Sequence, residues 1–268
     1  MREPLRNNAD ARALEQTPLR DLLTADNAFD AIRQRAEADP DNIALKFLVP
    51  GEVEAPPRDV SYGQFMAGCY RTANMLHDHD LGPGDVVSFL LPLCEEAYCT
   101  IVGGEAAGIV NAVNPMLEDW QIIKILQAAN TKILIAADLE RHGQFGQRGA
   151  ELVDGEKSFG ATQAGYPDDH LVSGRQIQPG EIASYFHTGG TTGTPKLAQH
   201  THYMQATQIW STGQAIGYGP GDSLTTGLPL FHIGGSIVCG LVPLAHGTTL
   251  VVVSPAANDG DRKSTRLN

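Results

Sequence analysis

Short apolar runs separated by stretches of helical period constrain this chain more than any other feature. Val86 to Leu91, Gly108 to Val113 and Ile133 to Ala136 are apolar and bounded by turn residues, the pattern of strands buried on both faces. Helical stretches precede and separate them. Ser61 and Gln64 fit a capping box, after which Phe65, Cys69, Thr72 and Leu76 share one face. Glu95 to Val102 reads as a second helix. Asp119 to Ala129 reads as a third from the spacing of Trp120, Ile123 and Leu126. Strands alternating with helices predict an α/β fold of parallel sheets covered by helices.

Upstream, Phe29, Ile32 and Ala36 place a helix over residues 28–38, stopped by Asp39-Pro40, with a strand at Ile43 to Phe47. The first 25 residues carry weak periodicity and are expected to form an arm. The polar stretch Arg141 to Gly174 is expected to be loop. Regular pattern resumes with a strand from Ile182 through His187 and a Gly/Thr-rich loop. A helix near Thr201 to Trp210, a strand near Leu224, a helix after Gly235 and a strand from Thr248 to Val253 follow.

Charge and cysteine usage narrow the class. A formal net charge of −12 with no basic stripe argues against a nucleic-acid partner. Cys69, Cys94, Cys99 and Cys239 form no Cys-x-x-Cys pair, so buried free thiols in a reducing, cytoplasmic setting are expected. The most apolar region, Ile233 to Val253, is broken by Gly240, Pro243, His246 and Gly247, which predicts a buried helix, a turn and a strand rather than a membrane span. His77-Asp78-His79 and His200-Thr201-His202 lack a third ligand at a recognisable spacing and are taken as surface or helix-end histidines, with no metal site. Glu95-Glu96 is taken as a solvated face. The oligomeric state is left open.

The loop Thr188-Gly189-Gly190-Thr191-Thr192-Gly193-Thr194-Pro195-Lys196 carries the chemistry. Its glycines let backbone N–H groups approach a ligand, its threonines add hydroxyls, and Lys196 adds a positive charge. Placed between a strand and a helix, such a loop is an anion cradle suited to a polyphosphate. A flexible surface turn has the same composition. A Walker loop is excluded, because Lys196 is followed by Leu197 rather than Ser or Thr.

Thr191 to Lys196 resembles the Thr-Thr-Gly-x-Pro-Lys ending of the adenylate-forming superfamily signature, with Gly189 where serine is common and Leu197 where glycine is usual. Val60 to Phe65, Gly104-Glu105-Ala106-Ala107-Gly108 through Asn114-Pro115, and Leu228-Pro229-Leu230-Phe231-His232 resemble further landmarks, the last that of the acyl-CoA synthetase branch. The similarity runs from about Asp26 to about Pro255, with Arg141 to Gly174 short for the family. It implies ATP-dependent activation of a small-molecule carboxylic acid, fatty or related, through an acyl-adenylate, with magnesium as metal and coenzyme A as acceptor. Thr188 to Lys196 would bind ATP, with Thr191, Thr192 and Lys196 on the β- and γ-phosphates.

His232 would lie beside the acyl carboxylate; read from the residues alone, a core histidine satisfied by backbone is equally open. Amino-acid-activating relatives carry Asp at this position, so an amino acid is not the expected substrate. Alternatives are a fatty-acyl-AMP ligase serving a carrier protein and a non-catalytic nucleotide-binding fragment.

The resemblance also implies a division of the chain. Residues 26–260 would be the amino-terminal AMP-binding domain, incomplete and inactive alone, because the family's magnesium-binding glutamate, ribose-binding aspartate and carboxy-terminal lysine come later. Residues 261–268 match one reading frame of a sequencing-library adapter and are expected to be a non-native tail.

Overall fold

A computed structural model describes residues 7–48, 56–137, 157–158, 162–188, 196–253 and 265–267. Helices α1 (Asn8–Glu15), α2 (Leu19–Leu22) and α3 (Ala28–Ala38) lead into strands β1 (Ile43–Leu48) and β2 (Arg58–Ser61). Next come α4 (Tyr62–Asp78), β3 (Val86–Leu90), α5 (Glu95–Ala107), β4 (Ile109–Ala112), α6 (Asp119–Ala128) and β5 (Thr131–Ala137). After β6 (Lys157–Ser158) come β7 (Ile182–Thr188), β8 (Lys196–Thr201), α7 (His202–Ile216) and β9 (Ser223–Thr226). A π-helix (Gly234–Leu241), α8 (Val242–Ala245), β10 (Thr249–Val253) and β11 (Thr265–Leu267) follow.

The strands form two sheets. One has the order β2-β1-β10-β9; the other runs β6-β11-β5-β3-β4-β7-β8. In the larger sheet β5, β3, β4 and β7 are parallel. Alternation along these strands shows why both faces need cover. Val87, Phe89, Val110, Ala112, Ile133 and Ile135 join the main core with α4 and α5. Leu90, Val113, Leu134 and Ala136 instead pack with Ile122 and Ile125 of α6. The capping box forms as the sequence predicts: Ser61 Oγ accepts from Gln64 N–H at 3.2 Å, and Gln64 Oε1 accepts from Ser61 N–H at 2.9 Å.

The expected α/β fold of parallel sheets and helices is present, with added detail. The sheets are not wholly parallel, because β1–β2, β7–β8 and the β11 pairings are antiparallel. The amino-terminal stretch holds two helices, although α1 buries none of its residues. Helix α6 forms where its spacing predicts; Ile122 and Ile125 are buried, Ile123 and Leu126 pack against them, and Trp120 is 56% exposed. A charged stem covers that ring, Lys124 Nζ lying 4.8 Å from its centroid. Of the expected loop Arg141 to Gly174, residues 141–156 and 159–161 lie outside the described residues. Residues 162–174 pack on α4, where Asn74 Nδ2 donates to the Pro167 and His170 carbonyls. The helix expected after Gly235 is a π-helix that continues into α8.

Candidate functional site

Open α/β sheets bind ligands outside the carboxyl ends of their strands, and three such ends converge here. Strand β7 ends in His187 and Thr188, β4 runs on into Asn114, and β9 runs on into Leu228 to His232. The Asn114 N–H donates to His187 Nε2 at 3.3 Å. Asn114 Oδ1 also accepts from Met116 N–H at 2.9 Å, which pins the turn after β4. The His187 ring stacks on Phe231, with centroids 6.0 Å apart and planes at 22°, within the range of an aromatic contact. Burial lowers the pKa of His187. Its Nε2 accepts, so the neutral ring carries its proton on Nδ1. A motif from the larger sheet thus touches a motif from the smaller one.

Gly189, Gly190, Thr191, Thr192, Gly193, Thr194 and Pro195 lie outside the described residues. Their flanks are described. Thr188 and Lys196 are exposed cross-strand partners, and the Thr188 hydroxyl donates to the Lys196 carbonyl at 3.3 Å. The loop therefore joins two antiparallel strands, not a strand and a helix as its sequence context suggests. Helix α7 begins only after the six residues of β8, roughly 20 Å along an extended strand. A helix dipole acts within about its first turn.

His232 is exposed, which overturns the core-histidine alternative. Its Nδ1 accepts from Gly234 N–H at 3.0 Å, so Nε2 carries the proton and faces away from that bond. The His232 carbonyl accepts from the Gly235 and Ser236 N–H groups at the start of the π-helix. An ideal Cβ at Gly235 would lie 2.2 Å from the Pro229 carbonyl oxygen, so only glycine allows the π-helix to fold back on this segment. π-Helical turns are rare and gather at functional sites.

The remaining sequence candidates fall elsewhere. His202 is the first residue of α7, a helix-end histidine as one expectation had it, but it is 1% exposed rather than on the surface, its pKa pushed down to about 4 mainly by burial. Glu95 is not simply solvated: it pairs with Arg58 at 2.6 Å in a half-buried contact. Among the described residues no group of three His, Cys, Asp or Glu side chains could hold a metal ion. Cys69, Cys94 and Cys99 are buried free thiols and Cys239 is half-buried. Among the described residues no helix is long and apolar enough to cross a membrane. Sequence reading assigned no role to His187, Phe231 or Asn114. Phe231 and Asn114 lie inside the quoted motifs and His187 borders the loop, but nothing local indicates that the three meet.

The sequence pattern of the AMP-binding enzyme family matches residues 32–266. A marinolic acid–CoA ligase of Pseudoalteromonas sp. (strain SANK 73390) is 27% identical over 271 residues, covering 93% of this chain and 41% of that protein. The fatty acid–[acyl-carrier-protein] ligase ScoC of Streptomyces coeruleorubidus is 29% identical over 190 residues, covering 66% of this chain and 36% of that protein. The chain thus spans about two fifths of the curated relatives' length. Among solved structures, the inhibitor-bound N-terminal domain of FACL13 from Mycobacterium tuberculosis superposes with a TM-score of 0.70 at 22% identity, over 85% of this chain and 57% of that one. Its fold is the α/β arrangement found here, and with the family pattern spanning most of the sequence, this chain belongs to the AMP-binding enzyme family of adenylate-forming ligases.

Proposed function

We propose that the protein carrying these residues uses ATP to activate a fatty or related carboxylic acid and passes the acyl group to coenzyme A. The observation that carries this reading is the meeting of the phosphate-loop strand with the Leu228–His232 segment through His187 and Phe231. That contact supports reading the strand that leads into the loop and the Leu228–His232 segment as parts of one site. In the first half-reaction a carboxylate oxygen attacks the α-phosphorus, and the bond to the departing pyrophosphate breaks. In the second, a thiolate attacks the acyl carbon and AMP leaves. Thr191, Thr192 and Lys196 would hold the β- and γ-phosphates, and their donors would offset charge on the pyrophosphate as it departs. The magnesium that accompanies ATP would share that work. His232, exposed with a proton on Nε2, would donate to the acyl carboxylate. Transfer to a carrier protein is the alternative that the ScoC similarity supports. A cytoplasmic setting accords with the free thiols.

Acid-dependent pyrophosphate exchange by the complete protein tests the assignment. A hydrogen bond to a charged group contributes roughly 1.5–3 kcal/mol. Thr192→Val and Lys196→Met should therefore each lower exchange roughly ten- to a hundred-fold. Both should weaken ATP use more than acid binding. Normal turnover and unchanged ATP dependence in both variants would reduce residues 189–195 to a surface turn. A preference for amino acids over fatty acids would overturn the substrate class.

A further inference from the structure

Helix α5 places a carboxyl group where, among the described residues, no cation pairs with it. Glu105 is 2% exposed, and among the described residues it forms no salt bridge. Its Oε1 accepts from Gln205 Nε2 at 2.7 Å, and the same amide nitrogen donates to Ser184 Oγ at 2.9 Å. Gln205 and Ser184 are themselves buried. Glu105 Oε2 has no partner among the described residues. A carboxylate left there would be an unpaired buried charge, whereas a neutral acid carries its proton on that free oxygen. Burial accordingly pushes the Glu105 carboxyl up to about 8, with Gln205 and Ser184 opposing the shift.

The partners of this acid define what it holds. Ser184 lies in β7, paired with Val110 of β4 on one side and His200 of β8 on the other. Gln205 lies in the first turn of α7, immediately after β8. Through Gln205, one carboxyl group thus joins α5 to β7 and to α7, the helix that follows β8. We propose that Glu105 is a positioning residue, an un-ionised acid that locks β7 and α7 to α5 behind the hairpin and releases them when it ionises. Its bearing on ATP rests on the function proposed above; the lock itself does not.

Other titratable groups pack around this junction. From α7 comes His202, and from the segment leading into β7 come Arg175 and Glu181, paired at 2.6 Å. Asp30 of α3 acts on His202, and His77 of α4 faces Arg175. Cys69 of α4 lies against Cys99 of α5, Cys239 of the π-helix faces Tyr98 of α5, and β7 itself carries Tyr185 and His187. Strands β3 and β4 carry no titratable side chain. Arg175 is committed to Glu181 and to the Ala106 carbonyl, so it does not neutralise Glu105.

The sign of the pH effect follows from the raised folded-state pKa. Between about 4.5, the ordinary glutamate value, and about 8 the folded chain holds a proton that the unfolded chain has lost. Stability from this group is complete below that window and disappears across it. Glu105→Gln keeps the shape and neutrality of the acid but cannot ionise. The test follows urea unfolding of the 268-residue chain across pH 5–9, together with hydrogen exchange of residues 182–201 corrected for intrinsic rate. The wild-type folding constant, divided by that of Glu105→Gln, should fall roughly tenfold per pH unit up to about 8 and then level off. Hairpin protection should drop above pH 8 in the wild type alone.

A pH-independent ratio would overturn the proposal. So would hairpin exchange that changes equally in both proteins. If Glu105→Gln does not fold, infrared spectra of the wild type decide: a carboxylic-acid C=O band present at pH 7 and fading near pH 8 supports the lock, and its absence at pH 7 overturns it. Failure of the complete protein to bind ATP at any pH would sink the proposed function, while the exchange result still judges the lock.

Discussion

Helix α5 approaches α4 so closely that one methyl group should separate them. An ideal Cβ on Gly103 would lie 2.3 Å from the Cys69 carbonyl oxygen and 3.0 Å from Thr72 Cβ. That is about 1 Å short of the roughly 3.3–3.6 Å at which a carbon and a carbonyl oxygen make contact. The obstructing atom belongs to helical backbone and cannot rotate away. Two effects oppose each other in Gly103→Ala. Alanine gains about 1 kcal/mol of helix propensity. Overpacking a rigid site costs about 3 kcal/mol, the upper end of its usual range. Cys69 and Thr72 are fully buried, so a gap opened there also forfeits dispersion contacts on both sides. The clash wins by about 2 kcal/mol, which lowers the melting temperature by roughly 4–8 °C for a chain of this size. Gly104→Ala is the internal contrast. Its Cβ would meet the Val110 and Val87 methyl groups at 2.7 and 3.3 Å, side-chain atoms that can turn aside. Urea unfolding followed by circular dichroism would rank the two variants. A Gly103→Ala protein as stable as the wild type would refute the backbone-contact argument.

Two further perturbations separate stability from function. The Tyr62 hydroxyl lies 2.9 Å from the Leu244 carbonyl oxygen and 3.0 Å from that of Thr248, tying α4 to α8 and the turn before β10. Tyr62→Phe should cost about 1–3 kcal/mol in urea unfolding by leaving buried carbonyls unmatched, and a cost near zero would show that those carbonyls find other donors. His232→Ala removes an exposed ring and one backbone contact, so it should cost no more than about 1.5 kcal/mol of stability. Acid-dependent adenylation by the complete protein should nonetheless fall. Lost stability with unchanged kinetics would reassign His232 to the turn.

Much of the fold was legible because its signals are local. The capping box at Ser61 and Gln64, and the apolar runs of β3, β4 and β5, depend on residues within a turn or a strand of each other. Strand β8 was not legible. Its residues are only half-buried or exposed, with no alternation of two, and as the last strand at its edge of the larger sheet it takes its identity from β7 rather than from its own period. The helical period of α6 was legible, but which of its apolar residues are fully buried was not: the sheet selects Ile122 and Ile125.

Residue order alone determined the alternation of strand and helix, the threonines and lysine of the candidate phosphate loop, and the absence of Walker spacing. These are properties of nearest neighbours and of helix and strand period, which no distant contact can alter. Tertiary structure decided that the loop closes a hairpin, that His187 meets Phe231 across two sheets, and that β1 pairs with β10 some 200 residues away. It also decided that Glu105, flanked by small residues on a helix that could have faced solvent, is buried against Gln205 and Ser184. The physical reason is that burial and pairing depend on what other elements supply. The environment of a carboxyl group, and hence its charge, is therefore set by the fold and not by its neighbours in sequence.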